Sequence, residues 1–169
     1  MNKTQVVAGY VLLLAACATT EPEGQTATAT VRPASGSQVS GTVKFTQVLS
    51  RVRVDAQLAA LTPGAHGFHI HENGDCSAPD AMSAGGHFNP DGKKHGGPDA
   101  AIHHSGDFGN LTADQYGKAA LTVWLEGISV STGKDGVIGR AIVVHADPDD
   151  LKTDPTGNSG SRVGCGVIK

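Results

Sequence analysis

The chain is poor in aromatic residues, with one tryptophan, two tyrosines and four phenylalanines among 169 positions. Charge is also sparse, at 17% of residues and a formal net charge of -3. No run of lysines and arginines occurs, which removes the basic footprint that nucleic acid or an anionic membrane surface would require. The apolar run from Val6 to Ala16 falls short of the roughly 20 residues that span a bilayer. What the chain has instead is glycine, 23 residues of it, and a hydrophobic content of 38%. That composition suits turns and small strand side chains better than long helices. The length accommodates one domain with a core of its own. Eight histidines are the one compositional excess.

The first 16 residues carry a single cation, Lys3, followed by the short apolar run, the pattern of a secretory signal. Leu14-Ala15-Ala16-Cys17 resembles the lipobox of bacterial lipoproteins, in which the cysteine is lipidated and becomes the first residue of the mature chain. Ordinary cleavage after Ala16-Cys17-Ala18 is the rival reading, and it discards Cys17 with the signal. Loss of residues 1–16 removes Lys3 and leaves the mature chain one charge more negative. Residues 17–24 then form a lipidated tether, whose polar run Ala18 to Gly24 reaches at most about 25 Å. The domain proper is expected over 25–169.

Alternation of period two locates the strands. Gln25 to Val31 alternates threonine with alanine and valine, and Pro33 to Ser37 breaks it. Gly41 to Gln47 follows, less cleanly. From Arg51 to Leu58, Arg51, Arg53, Asp55 and Gln57 face one way and Val52, Val54, Ala56 and Leu58 the other, which predicts a half-buried strand. After the Thr62-Pro63-Gly64 turn comes a histidine-bearing strand. Periodicity returns at Lys118 to Leu125, which turns Trp124 outward as a candidate contact surface, then at Gly139 to His145 and Arg162 to Ile168. The expectation is all-β: eight short strands, no convincing helix and two long loops, arranged as a β-sandwich or flattened barrel.

The loops hold the chemistry. Gly67 to Cys76 reads Gly-Phe-His-Ile-His-Glu-Asn-Gly-Asp-Cys. In a strand, His69 and His71 lie on one face and Phe68 and Ile70 on the other. Paired imidazoles suit copper, zinc, iron or nickel. Between Glu72 and Gly106 periodicity is absent, and the segment holds Cys76, His87, His95, His103 and His104, with Asp107 just beyond. A loop of that length inside a compact domain is usually functional. A metal and a disulfide would supply the order that burial does not.

Six ordered blocks then coincide. They are the Gly67–Cys76 stretch; Ala-Gly-Gly-His87-Phe-Asn-Pro; His95-Gly-Gly-Pro; His104-Ser-Gly-Asp107-Phe-Gly-Asn; Gly-Arg-Ala-Ile-Val-Val-His145; and Gly-Asn-Ser-Gly-Ser-Arg162-Val-Gly-Cys165-Gly-Val-Ile. Together, over roughly Gln25 to Lys169, they resemble the copper/zinc superoxide dismutase family, of the exported bacterial lipoprotein kind. The resemblance implies a Greek-key fold, copper held by His69, His71, His87 and His145, and zinc held by His87, His95, His104 and Asp107. His87 is the shared ligand and would carry a proton in the reaction. Asp149 matches the carboxylate that joins the outer nitrogens of His69 and His95. Arg162 matches the arginine that attracts and orients the anion. Cys76 and Cys165 match the intrachain disulfide, whose closure of about 90 residues stabilises by about 4–5 kcal/mol on loop-closure entropy. The odd third cysteine, Cys17, is left for lipid. The implied reaction is dismutation of superoxide to oxygen and hydrogen peroxide by a redox-cycling copper.

Other residues take plainer expectations. His66 matches a structural histidine. His103 has no counterpart and is expected to be a solvated neighbour, because the His-x-x-Asp spacing to Asp107 selects His104. Glu72 and Asp75 are expected as loop polar groups. In the second loop, Ala146 to Ser161, Pro155 stands where the resemblance expects a guiding lysine. Thr156 matches a channel-lining threonine, and Lys152 is the remaining candidate for steering. Two rival functions remain: a copper-buffering or copper-delivery lipoprotein of the same fold, and a surface adhesion module. The expected setting is the periplasm or cell envelope, with the chain anchored to a bacterial membrane through Cys17. A homodimer is compatible with the sequence, but no strand face names an interface.

Overall fold

The computed structural model describes residues 23–169; the signal segment 1–16 and Cys17 lie outside the described residues. Eight antiparallel strands form one sheet in the order β5-β4-β7-β8-β1-β2-β3-β6. They are β1 (Glu23–Pro33), β2 (Ser40–Val48), β3 (Arg51–Ala59), β4 (Gly64–His71), β5 (Asp107–Ala113), β6 (Ala119–Leu125), β7 (Ala141–His145) and β8 (Arg162–Val167). The end strands β5 and β6 lie against each other, so the sheet curls into a nearly closed, flattened barrel. The steps β3 to β6 and β4 to β7 cross over their neighbours in the manner of a Greek key.

The strongest alternation in the sequence gives the most regular pairing. All nine residues of β3 pair in register with β2, and Val52, Val54, Ala56 and Leu58 point into the core. Phe45, Phe68, Ile70, Leu111 and Ile142 fill that core, with Val43 and Val52 beside them. A second, smaller apolar cluster lies apart from it: Ala34, Ala81, Ala84, Ala141, Val143 and Cys165, with Cys76 packed against them. It is sealed by the Cys76–Cys165 disulfide across 89 residues of sequence.

Apart from shifts of one or two residues at strand ends, three features differ from the sequence expectation. β1 begins at Glu23, so the last two residues of the 17–24 tether belong to a strand, because the backbone of β2 reaches them at Val48. β5 is a strand that alternation does not locate; six of its seven residues are buried or half-buried on a side where both faces are covered. A 3₁₀ turn, Met82–Ala84, interrupts the long loop.

The loop is docked along β4 by main-chain bonds. Phe88 N–H donates to the Ile70 carbonyl at 2.8 Å, Gly106 N–H to the Phe88 carbonyl at 2.9 Å, and Ile70 N–H to the Gly106 carbonyl at 3.0 Å. Gly106 passes so close that a Cβ there would strike the Ile70 carbonyl, which is why the return crossing uses glycine. The crossing places His87 opposite His71. Pairing slips register between Gly67 and His69 and between Val144 and His145, irregularities of the kind that re-aim a side chain.

Candidate metal centre

Strand β4 supplies His69 and His71, the first loop His87, His95 and His104, the start of β5 Asp107, and the end of β7 His145. They gather into two sets of four: His69, His71, His87 and His145, and His87, His95, His104 and Asp107. Within each set the ligand atoms lie within 4.8 Å of one another and every residue is buried. His87 belongs to both, and its ring stacks on that of His69 at 4.0 Å.

The outer nitrogens of the first set are held by acceptors. His69 donates from Nε2 to Asp149 Oδ2 at 2.8 Å, and His71 from Nδ1 to the Gly85 carbonyl at 2.9 Å. His145 Nδ1 faces the Gly160 carbonyl at 3.4 Å. These bonds fix the tautomers, so His69 Nδ1 and the Nε2 atoms of His71 and His145 point inward as bare lone pairs. His71 Nε2 and His145 Nε2 face each other at 3.4 Å, where two acceptors satisfy nothing without a cation between them. In the second set, His95 donates from Nε2 to Asp149 Oδ1 at 2.9 Å. His95 Nδ1 and His104 Nδ1 approach the Asp107 carboxylate to 3.1 and 3.4 Å without hydrogen-bond alignment.

Buried polar atoms without partners are expensive and rare. Among the described residues, five buried side-chain atoms lack a hydrogen bond, and four are His69 Nδ1, His87 Nε2, His95 Nδ1 and His104 Nδ1. Their concentration at two points is the signature of ligand atoms. At His69 and His104 protonation does not resolve it. Burial pushes the His69 and His71 rings well below the ordinary imidazole range, with neighbouring imidazoles adding to the effect. Burial likewise takes His145 down to about 4 and lowers His104. For Asp107, burial acts upward, but hydrogen bonds from the His87 ring and the His104 N–H more than offset it and keep the carboxyl below its usual value. Neutral imidazoles beside an ionised carboxylate are the protonation states that metals require. Four nitrogens suit copper, and three nitrogens with a carboxylate suit tetrahedral zinc.

Arg162 sits where β8 pairs with β7, directly opposite His145. Its guanidinium donates to the Ala81 carbonyl at 2.7 Å and to the Gly85 carbonyl at 2.6 Å, so it is half-buried and fixed beside the first set. Lys152 is exposed on the second loop and Thr156 half-buried. His66 is buried and packs by hydrogen bonds, its Nδ1 donating to the His145 carbonyl at 2.8 Å. His103 lies outside both sets. It is half-buried rather than solvated, because its ring donates to the His104 carbonyl at 2.8 Å. Glu72 accepts from the Gly86 N–H, and Asp75 from the Ser77 N–H, as loop polar groups. Trp124 is exposed on one face and covered by Arg51, 4.7 Å away, on the other.

Several residues escaped the sequence reading. Asn110 clamps the main chain of Asp149, donating to its carbonyl at 2.9 Å and accepting from its N–H at 2.7 Å. Gly157, with φ +62, passes against the Asp149 carboxylate and the His95 ring, where any Cβ would collide. Arg140 lies over the Phe88 ring at 3.5 Å, behind the residue that follows His87. Only the Gly-Asn after Asp107-Phe and the glycine before Asn158 marked the first two in sequence.

Residues 39–168 match the family model described as copper/zinc superoxide dismutase. A superoxide dismutase [Cu-Zn] of Paramecium bursaria Chlorella virus 1 is 47% identical over 137 residues, covering 77% of this chain and 72% of the viral protein. Among solved structures, the crystal structure of the clock protein EA4 aligns with a TM-score of 0.76 at 40% identity, over 88% of this chain and 95% of that one.

Proposed function

The chain belongs to the copper/zinc superoxide dismutase family, and from that premise we propose that His69, His71, His87 and His145 hold its copper and His87, His95, His104 and Asp107 its zinc. The protein dismutates superoxide to oxygen and hydrogen peroxide. When bound, copper supplies the one-electron redox couple and zinc a fixed positive charge without redox chemistry of its own. The observation that carries the assignment is the set of unpartnered inner nitrogens at the two clusters.

The chain's own groups do the rest. His87 Nε2, buried and without a partner, is the atom that can carry one of the protons the peroxide product takes up. Asp149 holds the rings of His69 and His95 through one carboxylate, which ties the orientation of the two sets together. Arg162 presents a positive charge held by two carbonyls, and it attracts and orients the anionic substrate. Such steering by local charge is a general effect for which superoxide dismutase is itself a standard example. A storage or delivery role alone needs neither the fixed arginine nor the shared imidazole.

For the chain's setting, the Leu14–Cys17 motif supports export followed by lipidation of Cys17, with the domain tethered at a bacterial membrane in the periplasm or cell envelope. The disulfide fits an oxidising compartment. Mass analysis of the mature N-terminus tests this: a lipid-modified Cys17 is expected, and an unmodified Thr19 start overturns it. Metal analysis tests the ligand assignment. His145→Ala should lose copper and turnover while retaining zinc, and unchanged copper content would refute the copper set.

A further inference from the structure

Besides Asp149, the second loop brings another carboxylate to the metal centre, that of Asp154. Its Oδ1 accepts from the His95 main-chain N–H at 2.9 Å and stands 3.8 Å from His104 Nε2. Asp154 is the one acidic partner of that nitrogen among the described residues. The rings of His69, His71, His95 and His145 already face an outer acceptor, Asp149 or a main-chain carbonyl. His104 has Asp154 on that side, at 3.8 Å, where it acts by charge rather than by a hydrogen bond. An acceptor on the outer nitrogen orients a ligating ring and raises its basicity.

The turn that presents Asp154 is built rather than loose. Asp150 accepts from the N–H of Thr153 at 2.8 Å, the Thr153 hydroxyl at 2.6 Å and Asn158 Nδ2 at 3.0 Å. The Asp150 N–H donates to the Gly157 carbonyl at 2.8 Å and the Gly157 N–H to the Thr153 carbonyl at 2.7 Å. Those hydrogen bonds drive Asp150 down to about 2, so the turn keeps its ionised cap at any ordinary pH. The turn thus carries a carboxylate to the second set.

We propose that Asp154 is a positioning residue for zinc, holding His95 by a hydrogen bond to its main chain and setting its carboxylate charge opposite the outer ring nitrogen of His104, and that it sets how fast zinc leaves. This rests on the zinc ligand assignment above. The side chain of Asp154 is 52% exposed, so water screens its charge and the effect belongs at the low end of the roughly 10–100-fold that such outer partners contribute.

The test is metal release from full-length protein loaded with copper and zinc and challenged with excess chelator, each metal followed separately. Asp154→Ala should release zinc about tenfold faster than wild type, with copper release accelerated far less, only as loss of zinc frees the shared His87 ring. Asp154→Asn keeps an oxygen for the His95 N–H and removes the charge facing His104, so its zinc rate should fall between the two. Its His104 ring nitrogen resonances should shift in the zinc-loaded protein. Wild-type zinc release from Asp154→Ala overturns the proposal, as does an equal acceleration of copper and zinc, which marks general loosening. Asp154→Asn at the wild-type rate with unshifted His104 resonances removes the His104 contact, and that variant decides the matter should Asp154→Ala fail to fold. His104→Ala separates the two levels: if it still holds one zinc per chain, the ligand assignment has failed rather than the role of Asp154.

Discussion

The two halves of the barrel use the same strand geometry to opposite ends. In β1-β2-β3-β6 burial alternates, and the outward face meets water. There Arg53 pairs with Asp55 at 2.8 Å, and the Thr122 hydroxyl donates to the same carboxylate. In β4 every residue from His66 to His71 is buried, and so is all of β7. Their inward face packs the core as in the first half. Their outward face is covered by two loops, tied down by the disulfide, by Arg162 and by the carboxylate of Asp149. The first half is stabilised by what it excludes from water. The second needs its covering as well, and much of that covering is polar and complete only with cations.

The largest effect on this division comes from the disulfide. Joint replacement of Cys76 and Cys165 by serine should cost about 4–5 kcal/mol on loop-closure entropy, read by denaturant unfolding. Hydrogen exchange should rise first over residues 72–106, and uniform loss of protection in β2 and β3 would erase the contrast. Next is Phe45→Ala in the first half, fully buried in the core, which should cost about 3–5 kcal/mol. The folded fraction should still hold one copper and one zinc; selective metal loss would show that the halves are not separable in this way.

A smaller, pH-dependent effect belongs to the second half alone. Burial holds His145 at about 4 against its ordinary 6.5. The unfolded chain therefore takes up the proton first as the pH falls. Stability fully present above pH 6.5 is lost progressively down to about pH 4. Urea unfolding of the metal-free protein between pH 7 and 4 should show the midpoint falling over that window, and a flat profile contradicts it. The smallest change is Arg162→Glu. It should slow turnover severalfold, and rate should then rise with ionic strength instead of falling. A wild-type salt profile removes Arg162 from steering.

The same contrast explains what was legible in the sequence. β3 was readable because one wet face and one dry face write themselves as alternation. β5 was not, because it starts on the ligand Asp107, turns through Gly109 at φ +73 and is covered on both sides. Strand spacing marked His69 and His71 as a pair, and the other ligands became legible through the resemblance of the six ordered blocks to a known family. Asn110, Gly157 and Asp154 act on backbone, or by leaving room, and such roles depend on where Asp149 and His95 come to rest in space. The extra residues of β1 were hidden for a related reason. A polar segment looks like a leash until a partner strand is found to offer its backbone.

His87 stands in both donor sets, and this makes the two affinities a single linked quantity. Suppose that zinc, by fixing the His87 ring, tightens copper binding by some factor. Closure of the thermodynamic cycle then obliges copper to tighten zinc binding by the same factor. Loading in either order must reach the same total free energy. A substitution confined to one set therefore lowers the affinity of its neighbour whenever it frees that shared ring.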